Sequence, residues 1–206
     1  MELPVTERLT VAGALRYEDF SEFGSTTDYK LSGRFAVTDA LAFRGTVSTG
    51  FRAPTPGQIE SERTSQGLNS TTLVLVTSGR FSPTGPVADI INARADGPQI
   101  RPLDAETSQN YSLGMTYSHD SGLTATVDVY QIDVDDRFST LGSFTLTDAE
   151  RAQLAALNVP GGESITQVSF FQNQFDTRTR GIDVVATYGF DLGQGAMSLT
   201  GAYSYN

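Results

Sequence analysis

The sequence predicts an all-β fold: a partial antiparallel transmembrane β-barrel wall of about seven strands, with two long extracellular loops, one carrying a short helix. Three observations lead there. Apolar residues recur with period two on segments whose other face is polar or charged, which does not suit a dry two-sheet core but does suit a wall around a wet lumen. Only 38% of the 206 residues are hydrophobic, below the roughly 45–50% of an ordinary soluble domain, while 20 Gly, 12 Phe and 8 Tyr favour strands and turns. Finally, the connections near 38–40, 119–122 and 191–195 are tight, those at 53–104 and 138–177 are long, and the one near 18–27 is intermediate, so that short and longer links alternate as in outer-membrane barrels.

The first strand runs from Leu9 to Tyr17, with Leu9, Val11, Gly13, Leu15 and Tyr17 against Thr10, Ala12, Ala14 and Arg16. Tyr29, Leu31, Gly33, Phe35 and Val37 form a second against Lys30, Ser32, Arg34 and Ala36. The third, Leu41 to Phe51, sets Leu41, Phe43, Gly45, Val47, Thr49 and Phe51 against Ala42, Arg44, Thr46, Ser48 and Gly50. From Ala53 to Asp104 no alternation is sustained except the short apolar run Leu73 to Val76, and an unstructured loop there is expected.

The pattern resumes at Glu106 to Tyr117, with Tyr111, Leu113, Met115 and Tyr117 on one face. Leu123, Ala125, Val127 and Val129 follow; the phase then slips at Tyr130 to Ile132 and Val134, which a bulge or the strand's exit from the membrane would each explain. Thr147-Asp148-Ala149-Glu150 has capping-box spacing before Arg151 to Leu157, so a short helix ends near Pro160. Ile182, Val184, Ala186 and Tyr188 make the sixth strand, and Met197 to Tyr205 the seventh. Aromatics gather at strand ends, with Tyr17, Phe20 and Phe51 above and Tyr117, Tyr188 and Phe190 below, as interfacial girdles do.

The net charge of -10 and the absence of a basic stripe exclude a nucleic-acid partner. With no Cys, thiolate metal sites, thiol catalysis and disulfides are excluded. No window approaches the ~18 apolar residues of a membrane-spanning helix, and MELPVTERL has neither the basic nor the apolar region of a signal peptide.

Four stretches resemble the TonB-dependent outer-membrane receptors. Arg16-Tyr17-Glu18-Asp19-Phe20-Ser21-Glu22-Phe23-Gly24 is similar to their "RYEDYSDFG" strand and loop, and Ser48-Thr49-Gly50-Phe51-Arg52-Ala53-Pro54 to "STGFRAPS", with Thr55 where Ser is usual. Leu103 to Tyr111 resembles "L-x-PE-x-S-x-NYE", with Ala105 in place of Pro, and Asp176 to Asp183 resembles "DTRTRGVD". The motifs stand in family order over residues 8–188. The resemblance implies a ~22-stranded barrel with a plugged lumen, taking up a scarce ligand such as a siderophore, cobalamin or a saccharide with energy from the TonB complex. About seven strands cannot close such a barrel, so residues 1–206 are expected to be a fragment of one barrel domain. The plug, the TonB-contacting N-terminal part and the signal peptide would lie elsewhere in the parent chain. The implied partners are outer-membrane lipid, the plug, TonB and a small-molecule ligand, in the outer membrane of a Gram-negative bacterium. The alternatives are a passive porin and, from another class, a surface-exposed β-rich binding module.

No catalytic residue, cofactor or metal is expected. His119, the only His, stands beside Asp120 and Ser121, but neighbours in a tight turn are expected to point apart, without an oxyanion hole. Asp133-Val134-Asp135-Asp136 lacks the Gly and Glu of a Ca²⁺ loop and is expected to be a polar strand end. Gly161-Gly162 has no Lys or strand-to-helix context for a phosphate loop. Arg16, Arg34 and Arg44 lie on lumen-side phases of adjacent strands, where they would meet an anionic ligand, acidic plug groups or water. Arg52 leaves its strand where Pro54 stops pairing, which suits shaping the loop base. The long loops add Arg63, Arg80, Arg94 and Arg101. Arg34, Arg44, Arg52 and Arg101 are the candidate ligand contacts.

Overall fold

The structure is a computed structural model that describes residues 2–21, 24–60, 62–68, 71, 73–95 and 97–206. The chain divides into two compact units: a wall unit (Met1–Phe51, Thr107–Asp135, Asp176–Asn206) and a loop unit (Arg52–Glu106, Asp136–Phe175).

In the wall unit a short strand β1 (Glu2–Pro4) precedes β2 (Leu9–Phe20), β3 (Gly24–Ala36) and β4 (Leu41–Arg52). In chain order the loop unit then contributes α1 (Pro56–Ile59), β5 (Arg63–Leu68), β6 (Leu75–Phe81) and α2 (Pro86–Asn92). Strands β7 (Glu106–Ser118) and β8 (Leu123–Thr145) follow, then α3 (Asp148–Ala156), β9 (Gln167–Leu192) and β10 (Gly195–Tyr205). The wall runs β1-β2-β3-β4-β7-β8-β9, with β10 on β9, and its sheet is open. The seven long strands expected from the sequence are β2, β3, β4, β7, β8, β9 and β10. β1, three residues long with a Pro, was too short to show a period.

Register explains why the alternation was readable. Leu31 faces Gly13 on β2 and Val47 on β4, Phe35 faces Phe43, Leu113 faces Val129, and Leu199 faces Tyr188. These pairings set apolar against apolar on one face, and a slip of one residue would mix the faces. That apolar face is uncovered: Leu15 is 75% exposed, Leu31 51% and Phe35 48%, and among the described apolar wall residues only Ala42 is buried. A water-soluble sheet would hide this face, so the wall is built inside out. Among the described residues no helix is long and apolar enough to cross a membrane, which says nothing about strands.

Turn chemistry closes the short links. The Thr38 hydroxyl accepts the Ala40 and Leu41 N–H groups, Gly122 adopts φ +87°, and Gly193, at φ +65°, opens a two-residue hairpin between Leu192 and Gly195. The link near 18–27 is shorter than expected, because β2 continues to Phe20 and pairs it with Gly24. Acidic and hydroxyl residues on both faces had ended the apolar signal, not the strand. Glu22 and Phe23, in the first family-like stretch, lie outside the described residues.

Pairing of β7 with β8 runs unbroken from Ser118–Thr124 to Thr107–Asp135, so no bulge faces β7 at Tyr130. Instead the positions that continue the apolar face become Gln131, Asp133 and Asp135, while the backbone takes φ +57° at Asp136. A bulge in the β7–β8 pairing is thereby removed as the explanation of the phase slip.

The loop unit corrects the expectation of unstructured connections. It holds the buried core, Phe81, Val87, Ala88, Ile91, Ile100, Leu146, Leu154, Ile165, Val168 and Phe170, with Phe144 and Leu141 packed against it. Burying each large side chain contributes roughly 1.5–3 kcal/mol, which offsets the entropy of ordering so long a connection. β6 pairs antiparallel with β5 and parallel with Ser169 and neighbouring residues of β9. Alternation is present in β6, but its buried positions are Thr77, Gly79 and Phe81, two of them not apolar. α3 occurs as expected, Thr147 and Glu150 closing a reciprocal capping box.

Candidate functional site

On the polar face of the wall, β3 and β4 set Arg34 directly opposite Arg44. Arg44 reaches across β7 to Asp128 on β8, with Nε–Oδ1 at 3.0 Å and Nη2–Oδ2 at 2.6 Å. The intervening residue is Gly114, which pairs with Asp128; a Cβ there would overlap the Asp128 carboxylate and lie 2.9 Å from the Arg44 guanidinium. The glycine thus leaves room for a bidentate ion pair passing over the strand between its partners. Arg34 is exposed and its side chain has no hydrogen-bond or ion-pair partner among the described residues. Arg16 is not brought to this pair: it stands opposite Asp28 and bonds Glu18. Farther along, Ser204 donates to Asp183 at 2.6 Å, and the Thr187 and Thr200 hydroxyls lie 3.0 Å apart.

In the loop unit Arg52 sits 3.2 Å from Glu106 and stacks 5.0 Å over the Phe138 ring. The Glu106 side chain is only 6% exposed and also accepts the Phe138 N–H at 2.7 Å, so a buried carboxylate is satisfied from two sides. Arg101 offers its side chain to solvent while its backbone is clamped by the buried Gln172, which accepts its N–H and donates to its carbonyl. Arg94, placed just after α2, forks onto Glu150 at 2.7 and 2.9 Å and donates to the Thr145 carbonyl. Hydrogen bonds from Arg94, then from Thr147, hold the Glu150 carboxyl down to about 2.

His119 differs from expectation in geometry: its Nδ1 lies 3.1 Å from the Ser121 hydroxyl and accepts the Ser121 N–H, while its ring stacks on Tyr117. That is a turn cap, and a nitrogen already accepting a backbone N–H is not free to take a serine proton. Asp133 is held by Arg178 and Gln131, and Arg180 bonds Gln131. Among the described residues no group of His, Asp and Glu is arranged to hold a metal ion. Asp128, Gln172 and Glu106 were missed by sequence reasoning, since each gains its role from a partner at least 32 residues away.

An open sheet with an uncovered apolar face, a charged opposite face and folded loops is the arrangement of a large barrel's wall. A family model described as TonB dependent receptor-like, beta-barrel, matches residues 1–206. The chain belongs to the TonB-dependent receptor family, within its β-barrel. Solved structures show the same fold. The siderophore receptor PirA from Pseudomonas aeruginosa aligns at 15% identity and TM-score 0.63 over 99% of this chain and 32% of that one. A ferric enterobactin receptor (PfeA) mutant from the same organism, in complex with enterobactin, aligns at 18% and 0.67 over 100% and 26%. The RagAB peptide importer aligns at 14% and 0.55 over 96% and 20%. This TonB-dependent receptor chain thus spans about a third or less of the length of those structures. No curated protein matches it.

Proposed function

We propose that this chain is wall and outer-loop material of an outer-membrane receptor that captures an anionic iron chelate of the siderophore type and admits it through the lumen with energy from TonB. The observation that carries the reading is the inside-out wall, whose apolar face suits lipid while Arg34 and Arg44 lie on the opposite face. Net cationic side chains at Arg34 and Arg101, exposed and without side-chain ion pairs among the described residues, suit an anionic ligand. The siderophore receptors among the structural neighbours support that class over cobalamin or saccharide. The remaining parts, including a plug and the TonB-contacting segment, belong to the parent chain.

The test is uptake of radioiron as a ferric siderophore by iron-limited cells expressing the full-length receptor, with and without a working TonB complex. Uptake that needs both the receptor and TonB supports the reading. Receptor-dependent uptake that persists without TonB points to a passive channel, and absence of receptor-dependent iron uptake removes the siderophore class.

A further inference from the structure

The loop unit contains a small polar cavity, about 260 Å³, lined by Arg63, Ser65, Ser78, Gly79, Arg80 and Ser169. Its walls come from three strands in fixed register. β5 and β6 set Arg63 opposite Arg80 and Ser65 opposite Ser78; the parallel pairing of β6 with β9 sets Arg80 beside Ser169. Because directly paired residues share a face, Arg63, Arg80 and Ser169 form one row across the sheet. Ser65 and Ser78 form the next row, their hydroxyls 3.1 Å apart.

This row is unfavourable as it stands. Like charges directly opposite on paired strands repel, and among the described residues neither guanidinium has a carboxylate partner. Arg80 Nε is also buried without a hydrogen-bond partner, a state that ordinarily costs the desolvation of the group. The Arg80 guanidinium lies 4.8 Å over the Phe171 ring, so its flat face is occupied and its N–H edges remain for an acceptor. The Ser169 hydroxyl donates to the Gly79 carbonyl and one of the paired Ser65 and Ser78 hydroxyls donates to the other, which leaves one serine proton beside the two cations. An exposed Arg63, the Arg80 guanidinium and that hydroxyl around a small cavity suit a cluster of anionic oxygens.

We propose that this Arg63–Arg80 pocket is an oxyanion site that takes the anionic oxygens of a small ligand, as catecholate, carboxylate or phosphate. It rests on the uptake reading for the source of that group, which is then the iron chelate. Binding would relieve the repulsion between the two arginines.

The experiment uses the purified full-length receptor and two probes: a ferric tricatecholate, and inorganic phosphate at constant ionic strength. Arg63→Gln, Arg80→Gln, the double variant and the milder Ser78→Ala are compared with Arg151→Gln on α3 as a control. Each Arg variant should weaken ferric tricatecholate binding about tenfold or more, with Ser78→Ala weaker in effect and Arg151→Gln without one. Unliganded thermal midpoints should not fall, since the removed charges repel. Unchanged chelate affinity in the double variant overturns the site and leaves the uptake reading intact. If the parent receptor binds no iron chelate, the uptake reading fails, and the phosphate arm decides the pocket. Thermal stabilisation by phosphate that the double variant loses sustains an oxyanion site for a phosphate group, and no phosphate effect overturns it.

Discussion

Glu150 ties two parts of the loop unit together, and its removal has a calculable cost. Its carboxylate accepts both Arg94 bonds and the Thr147 N–H at 2.7 Å, and its side chain is 13% exposed. Glu150→Gln keeps an amide oxygen for the cap but loses the ion pair, and should destabilise the α3 region by about 1–2 kcal/mol after solvent screening. Glu150→Ala also loses half the capping box, adding about 1 kcal/mol. The pH dependence has a definite sign. The carboxyl sits near 2 in the folded protein against an ordinary 4.5, so its contribution is fully present above pH 4.5 and decays as pH falls toward 2. Amide hydrogen exchange on the full-length receptor, corrected for intrinsic rates, reads the opening of α3 directly. Wild-type protection should fall through that acidic window and Glu150→Gln should lack this component. Equal protection of the two at pH 6, with parallel acid profiles, would refute the reasoning.

Three further outcomes follow from the geometry. Phe170→Ala, at a fully buried core position, should cost about 3–5 kcal/mol and raise exchange throughout the loop unit, measured against an unaffected β2–β3 hairpin. Gly114→Val should force Arg44 and Asp128 apart, lowering the receptor's thermal midpoint more than Asp128→Asn does, because only the valine also crowds the sheet. Cysteine at Ser65 or Ser143 should react with an impermeant thiol reagent on intact cells, whereas cysteine at Ser121 should react only after the outer membrane is opened; the reverse pattern would invert the topology.

The wall was legible because a period-two pattern with one apolar face admits a single register, so Leu31, Phe35, Phe43 and Val47 announce both the strands and the side they share. Tight turns and the capping box at Thr147 were equally plain, since their signals are local. The loop unit was not legible from local pattern. Its core is drawn from short segments, Phe81, Ile91, Leu154 and Phe170 among them, that share no period and become a core only when tertiary structure gathers them. The same holds for charge: sequence alone placed Arg44 on a lumen-side phase, Arg52 at a strand exit and Arg80 in a long loop, but not their partners. That Arg44 finds Asp128 over a glycine, that Arg52 caps a buried Glu106, and that Arg80 is left facing Arg63 were decided by strand order and register, which bring together residues 17 to 84 positions apart.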